Sequence, residues 1–474
     1  MSEFPRVIIA GTNSGSGKTT VTCALLSLLK RREFQVRACK CGPDYIDPMF
    51  HEHVLSVSST NLDPFFCSED MLKCLLMNNA GKDITVVEGV MGYYDGTGSD
   101  GTDYSTYSVS RMTGTPVILV VDAKGAAASL LAVIEGFLKF REDSKIAGVI
   151  FNRASKMTYA HLKKLMYDRF QGAVIPVGYI PVLPAECTLK SRHLGLVTAG
   201  EIKELDKKIE KMTDIVEETL EFDIEAIMKI ARTAEDMPEE LSWMIGNCDR
   251  KAHHKKCGEA AIVYDPGGML IPVREKIRIV VARDEAFCFY YRDTLELFKR
   301  MGAEITFFSP LKNEPVPEGA CGLLIGGGYP ELHAKELEAN TVSRESIFKA
   351  VKSGIPTIAE CGGFQYLGKE IDGREMCGVL DLKSERTEKL VRFGYVELHC
   401  RERGLFGEAD VKVQGHEFHY YDSTDNGTDC TAADLESVTL GAGLEAATKL
   451  IDEDGDIAVT LGHVTQTWSG AAGT

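Results

Sequence analysis

The chain has 474 residues, enough for two or three domains, and its 44% hydrophobic and 26% charged residues are ordinary for a soluble globular protein. A formal net charge of −17 argues against nucleic acid or an anionic membrane as the main partner, and a small anionic substrate would need a local basic pocket. No apolar run approaches a membrane span, the first six residues lack a basic leader, and the 14 cysteines follow no disulfide or zinc spacing, so reduced thiols in a cytoplasmic protein are expected.

In chain order, residues 6–11 read as a buried strand. The loop Gly11-Thr12-Asn13-Ser14-Gly15-Ser16-Gly17-Lys18-Thr19-Thr20 follows at once, and then a helix with Val21, Leu25, Leu28 and Leu29 on one face. Strand, glycine-rich loop and helix are the context of a phosphate-binding loop. Gly15 and Gly17 let backbone amides face phosphate, Lys18 reaches the outer phosphates and Thr19 is suited to ligate Mg²⁺. The loop has one residue more than the common G-x-x-x-x-G-K-[ST] form, with Thr12 where the first glycine usually stands.

The segment 40–48 is dense in Gly, Pro and Asp; Asp44 and Asp47 fit either turn caps or a metal or substrate site. Further short apolar strands are predicted at 84–89, 116–123 and 146–153, separated by helical stretches such as 126–140. Glu88 ends one of them, at the carboxyl edge where such sheets bind ligands, and reads equally as a Mg²⁺ or water-positioning carboxylate or as a solvated turn acid. Strands without alternation, interleaved with helices, imply a parallel sheet covered on both faces. Residues 201–232 are a charged amphipathic helical region, and 233–275 are polar; His253 and His254 there fit a solvated stretch better than a metal site.

A second α/β series is expected at 277–284, 304–310, 321–328 and 355–361. Its last strand runs into Glu360-Cys361-Gly362-Gly363, a nucleophile between small residues on a sharp turn. A strained turn before a helix is expected to lower the thiol pKa and to offer amides to an oxyanion. A partner base should be a histidine at another strand end. His463, after the apolar run 457–461, is best placed, with His416 and His419 as rivals.

Several blocks carry a more specific likeness. The loop spacing resembles dethiobiotin synthetase. The segments 40–48, 87–96, 192–196, 282–287 and 326–332, read from Lys40-Cys41-Gly42-Pro43-Asp44-Tyr45 through Gly326-Gly327-Gly328-Tyr329-Pro330-Glu331-Leu332, resemble the cobyrinate a,c-diamide synthase family over about residues 5–470. The resemblance implies an α/β fold of two domains, each a mostly parallel sheet with helices on both faces: a P-loop synthetase domain at 1–235, a linker at 236–275 and a class I glutamine amidotransferase-like domain at 276–474. It implies that Gly15, Gly17, Lys18, Thr19, Thr20, Lys40 and Asn152 surround ATP, with Lys40 at the transferring phosphate and Asn152 near adenine. Thr19, Asp47 and Glu88 would surround Mg²⁺. Asp44, Tyr45, Asp95 and His193 would lie on the tetrapyrrole side, and Cys361 and His463 would act on glutamine.

The implied activity is ATP- and glutamine-dependent amidation of the a and c carboxylates of cobyrinic acid in cobalamin biosynthesis. Hydrogenobyrinate and nickel sirohydrochlorin are alternative substrates for the same chemistry. A partitioning-type ATPase switch is the alternative of another class; it usually carries a second lysine early in the loop, where this chain has Asn13 and Ser14. Departures from the usual class I glutamine amidotransferase pattern are Ala359 before the elbow and Thr465 where a triad carboxylate stands; the cobyrinate branch also has alanine at the first and lacks the carboxylate at the second, often with a second histidine there, and the tail at 466–474 is diverged. The oligomeric state, a homodimer included, is left open.

Overall fold

A computed structural model describes residues 4–78, 81–98, 101–187, 199–219, 221–238, 261–264, 270–273, 277–390, 392–400, 412–424, 430–434, 447–451 and 457–461. The chain divides into two compact units, Met1–His253 and His254–Thr474. Among the described residues no helix is long and apolar enough to cross a membrane.

The first unit is built on a seven-stranded parallel sheet. Its strands are β1 (Arg6–Gly11), β2 (Val36–Cys41), β3 (Ser59–Leu62), β4 (Ile84–Glu88), β5 (Val117–Asp122), β6 (Ile146–Asn152) and β7 (Ile175–Ile180), in the spatial order β3-β2-β4-β1-β5-β6-β7. β1 is buried along its whole length, which explains why it reads as an unbroken apolar run: both faces are covered. Val7, Ile8 and Ile9 are fully buried, and each such side chain contributes roughly 1.5–3 kcal/mol of burial free energy. Helix α1 (Lys18–Arg31) packs back on the sheet through Val21, Leu25, Leu28 and Leu29, all buried as its periodicity predicts.

Arg6 is the exception in this strand. Its guanidinium is buried and donates to the Thr115 hydroxyl (3.1 Å) and to the carbonyls of Phe4 (3.1 Å), Thr113 (2.8 Å) and Glu235 (2.6 Å). Burial lowers it to about 10 against the pull of Glu235 and Asp236, so it stays a cation and ties the segment beyond the last helix of the unit to β1. The region 201–232 forms two helices, Ala199–Glu218 and Ile224–Ala231.

The second unit opens with a hairpin of β8 (Ala261–Tyr264) and β9 (Leu270–Val273), paired antiparallel. This pairing lies inside the stretch read as polar linker; two short runs rich in β-branched residues and leucine outweigh the polar residues around them. Next come β10 (Arg278–Ala282), β11 (Phe287–Phe289), β12 (Glu304–Phe308), β13 (Gly322–Ile325), β14 (Gly327–Gly328) and β15 (Thr357–Ala359). A parallel sheet β12-β10-β13-β15 carries the unit, and β11 pairs antiparallel with β14 at its edge.

A mixed sheet and antiparallel pairings complete the unit. The mixed sheet joins β16 (Glu370–Ile371), β17 (Arg374–Glu375), β18 (Lys383–Arg386) and β21 (Tyr421–Ser423), with β16 and β18 running parallel; an antiparallel sheet joins β19 (Arg392–Cys400), β20 (Lys412–His419) and β22 (Cys430–Asp434). β23 (Ala447–Ile451) and β24 (Ile457–Leu461) form a final antiparallel pair, and β24 lies beside β15.

Two candidate active sites and the family they define

In the first unit the parallel order brings the carboxyl ends of β1, β2, β4 and β6 together at one edge, and the predicted phosphate-site residues ride on those ends. Gly15 and Gly17 adopt φ of 81° and 103°, the left-handed region that glycine enters without strain. A Cβ on Gly17 would lie 2.0 Å from the Asn152 amide nitrogen. That nitrogen, at the end of β6, donates to the Ser16 carbonyl at 2.9 Å, so Asn152 holds the loop itself. Asp122, ending β5, pairs with Arg153.

Lys18 curls back to donate to the carbonyls of Met91 and Asn13. Burial, with help from Lys40, lowers its ammonium to about 8, against Glu88, Asp47 and Asp95. Among the described residues no carboxylate pairs with Lys18 within salt-bridge distance, which leaves its charge free for an anion. Thr19 follows, its hydroxyl donating to Glu88 Oε1 at 2.6 Å. Thr20 is half-buried at the start of α1.

Glu88 is buried completely and is not a solvated turn acid. Lys40, at the end of β2, bonds it at 3.3 Å and also pairs with Asp47 and, at 3.7 Å, with Asp44. Burial opposes the Lys40 charge, but Asp47, Glu88 and Asp44 raise its ammonium well above the ordinary value. Burial likewise pushes Glu88 up, yet Lys40, His51 and Thr19 outweigh it and hold the carboxyl well below the usual carboxylate range. Burial and the Glu88 charge push Asp47 up against Lys40.

Three carboxylates therefore face one ammonium, and Thr19 bonds the Glu88 oxygen that Lys40 also meets. Oxygen donors of this kind suit a hard divalent cation such as Mg²⁺; among the described residues no three His, Cys, Asp or Glu side chains are grouped to hold a metal ion. Asp44 also serves the turn reading: its Oδ1 accepts the Ile46 and Asp47 amides at 2.8 and 3.1 Å, opening the helix α2 (Ile46–His53). Tyr45 is half-buried just before that helix. Asp95 is exposed and accepts the Gly92 amide at 2.7 Å. His193 lies outside the described residues.

His51 was not anticipated from the sequence. It is fully buried on α2, with Nε2 3.2 Å from Glu88 Oε2 and Nδ1 3.2 Å from the Ser59 hydroxyl. Glu88 thus presents one oxygen to His51 and the other to Thr19 and Lys40, which locks its rotamer. The His-at-helix-end position next to the Asp-rich segment is the only local signal, and the contact spans 37 residues.

In the second unit Cys361 follows β15 with φ 50° and ψ −112°, a strained backbone for a non-glycine residue and the sharp turn its neighbours imply. The turn closes through hydrogen bonds from Glu360 N–H to the Ile325 carbonyl (3.0 Å) and from Gly363 N–H to the Glu360 carbonyl (2.8 Å). A Cβ on Gly363 would sit 2.1 Å from the Ile325 carbonyl oxygen, so only glycine lets the elbow approach β13.

The thiol departs from expectation. Although Cys361 keeps partial solvent access, desolvation and then the Glu331 carboxylate push it up to about 12, with Glu360 adding and the Gly362 and Gly328 amides opposing. The following helix, Gly362–Leu367, is only six residues long, too little dipole to offset burial and two acids. Glu331 is itself raised to about 7, by burial and Asp372. The Gly362 and Gly328 amides that oppose this rise are of the kind an oxyanion needs.

Of the candidate bases, His419 is buried on β20 with Nδ1 2.5 Å from the Tyr421 carbonyl oxygen, so Nδ1 carries the proton. His416 packs edge-on against Tyr395 on β19. His463 lies outside the described residues, as does Thr465.

Residues 7–196 match the CobQ/CobB/MinD/ParA nucleotide binding domain and residues 278–464 the CobB/CobQ-like glutamine amidotransferase domain. The cobyrinate a,c-diamide synthase of Listeria innocua serovar 6a is 39% identical over 421 residues, covering 88% of this chain and 86% of that one. The protein of the same name from Thermoplasma volcanium is 39% identical over 424 residues, with the same coverage of 88% and 86%. That from Priestia megaterium is 36% identical over 422 residues, covering 88% and 85%. A nucleotide-binding domain and a glutamine amidotransferase domain in one chain, with likeness of this extent, place the chain in the cobyrinate a,c-diamide synthase family of glutamine-dependent, amide-forming ligases.

Proposed function

We propose that the chain amidates the a and c side-chain carboxylates of cobyrinic acid in the cytoplasm, using ATP to activate them and glutamine as the nitrogen source. The observation that carries this reading is the joint presence of a buried lysine at a phosphate loop that bonds only carbonyls among the described residues and a cysteine on a strained strand-to-helix elbow. The domain roles follow: residues 1–235 activate, 236–275 link and 276–474 release ammonia.

In the first step a substrate carboxylate oxygen attacks the γ-phosphorus of ATP, the bond to ADP breaks, and an acyl phosphate forms. Lys18 meets the outer phosphates and Lys40 the transferring one, while Asn152 and the loop amides hold the nucleotide end of the site. Bound Mg²⁺, held by Thr19, Asp47 and Glu88, would neutralise phosphate charge. Asp44, Tyr45, Asp95 and His193 face the tetrapyrrole.

In the other unit the Cys361 sulfur attacks the glutamine amide carbon. The C–N bond breaks, ammonia leaves with a proton from the base, and water then releases glutamate from the thioester. Ammonia attacks the acyl carbon, phosphate departs and the amide remains. Desolvation and Glu331 push the free thiol up, so a base that takes its proton as the sulfur attacks is needed.

Mass spectrometry of products after incubation with ATP, Mg²⁺, glutamine and cobyrinic acid tests the reading. Two amide groups per tetrapyrrole are expected. Turnover only of hydrogenobyrinate or nickel sirohydrochlorin would move the substrate, and ATP hydrolysis without amide would favour the switch.

We assign the base to His463, which follows β24, the strand beside β15. His463→Ala should lower glutamine hydrolysis by roughly 10²–10⁴-fold, the scale of losing a general base, and spare ammonia-dependent amidation. If His416→Ala or His419→Ala removes hydrolysis while His463→Ala does not, the assignment is wrong.

A further inference from the structure

The Gly326–Gly328 turn forms one wall of the Cys361 elbow. A Cβ on Gly327 would lie 3.3 Å from the Cys361 Cβ, and a Cβ on Gly362 would lie 3.3 Å from the Gly328 amide nitrogen, so the turn brings that amide beside the elbow, where it opposes the raised thiol. Three glycines in succession have little conformational preference of their own, so something outside the turn must aim that amide.

The segment 286–290 does so. β11 pairs with β14 through an irregular register, Phe287 opposite Gly328 and Phe289 opposite Gly327. The Tyr329 amide donates to the Ala286 carbonyl at 2.9 Å. At the entrance of the turn the Gly326 amide donates to the Tyr290 hydroxyl oxygen at 2.7 Å, and that hydroxyl donates onward to the Ala282 carbonyl. A hydroxyl has one proton to give, so its directions are fixed: it accepts from Gly326 and donates to the end of β10. A Cβ on Gly326 would lie 2.6 Å from the Tyr290 ring, which shows how closely ring and turn are fitted.

We infer that Tyr290 is a positioning residue for glutamine hydrolysis: its hydroxyl clamps the start of the Gly326–Gly328 turn to β10 and so holds the Gly328 amide on the reacting sulfur and its oxyanion. The inference rests on Cys361 being the glutamine-cleaving nucleophile. Burial raises the phenol above its ordinary value, against the Gly326 amide, so the hydroxyl keeps its proton and the clamp stays closed throughout the neutral range. Tyr290 touches neither glutamine nor the thiol; it acts through the turn.

The test is Tyr290→Phe in the full chain, which keeps the ring and deletes the clamp. The kcat for glutamine hydrolysis should fall about 10–100-fold, below the 10²–10³ of deleting an oxyanion donor outright, with KM for glutamine changed less than about 3-fold. Ammonia-dependent amidation should stay as in the unaltered chain, and the unfolding temperature should fall only by the few degrees that losing these hydrogen bonds costs. Gly326→Ala, which crowds the same ring, should give the same kcat-selective loss, and the double variant should lose less than the two singles combined. Unchanged kcat in Tyr290→Phe, or a parallel fall in ammonia-dependent amidation, overturns the inference while leaving the nucleophile in place. Absence of glutamine hydrolysis by the unaltered chain overturns the nucleophile reading and the inference together.

Discussion

Cys361→Ala is expected to abolish the use of glutamine and leave amidation by free ammonia at the level of the unaltered chain. Loss of a covalent nucleophile lowers turnover by roughly 10⁴–10⁶-fold. In the proposed reading the synthetase chemistry lies with the nucleotide binding domain at residues 7–196 and needs only ammonia, whatever its source. Steady-state rates with glutamine and with ammonium salt at pH 8 separate the two activities. Glutamine-dependent amidation at normal rate would make Cys361 a structural thiol. The raised thiol adds a pH signature. With desolvation and Glu331 holding it near 12, alkylation of Cys361 by iodoacetamide without glutamine should keep rising from pH 7 to pH 10 with no plateau. A plateau near pH 7 would show that another charge lowers the thiol.

Lys18→Ala is expected to remove amidation from both ammonia sources while glutamine hydrolysis continues, uncoupled. The two lysines of the site differ in a way that makes Lys18 the sharper test. Lys40 is committed to Asp47, Glu88 and Asp44, so its removal would also leave buried carboxylates uncompensated. Lys18 bonds only carbonyl oxygens among the described residues, and its deletion takes away a cation without orphaning an acid. Withdrawing one such group from developing phosphate charge lowers turnover by roughly 10²–10³-fold. Product formation and ADP release, measured together, check it. Normal amidation by this variant would sink the phosphate-site assignment.

The two variants have complementary patterns. Cys361→Ala fails with glutamine and succeeds with ammonia; Lys18→Ala fails with both yet still releases glutamate. A partitioning-type switch would show neither pattern, since it has no use for Cys361.

Much of this was legible in the residues themselves. The strands Arg6–Gly11, Ile84–Glu88, Val117–Asp122 and Ile146–Asn152 stand where unbroken apolar runs predict them, because a strand covered on both faces has no polar alternation to hide it. The places of Lys18 and Thr19 at the loop-to-helix junction and of Glu88 at a strand end were legible from turn and strand patterns, whereas the burial that rules out a solvated turn for Glu88 was not. Cys361 announced itself through the small residues that a sharp elbow requires.

Other elements were not legible. β2 opens with Val36-Arg37 and carries Lys40, so its charges mask a strand that tertiary pairing supplies. β19 and β20 mix polar, charged and apolar residues without regular alternation and owe their pairing to each other, not to local pattern. Local sequence therefore determined the doubly covered strands of the first unit and the turn residues that follow them, since apolar runs and turn chemistry are short-range properties. Tertiary structure alone decided that His51 grips Glu88, that Lys40 is neutralised by three acids while Lys18 is not, that Tyr290 braces the glycine turn, and that the elbow thiol is raised rather than lowered. Each of those depends on what the fold brings from distant positions to within a few ångströms and on how much water it removes, and desolvation is a property of the whole packed assembly that no short segment encodes.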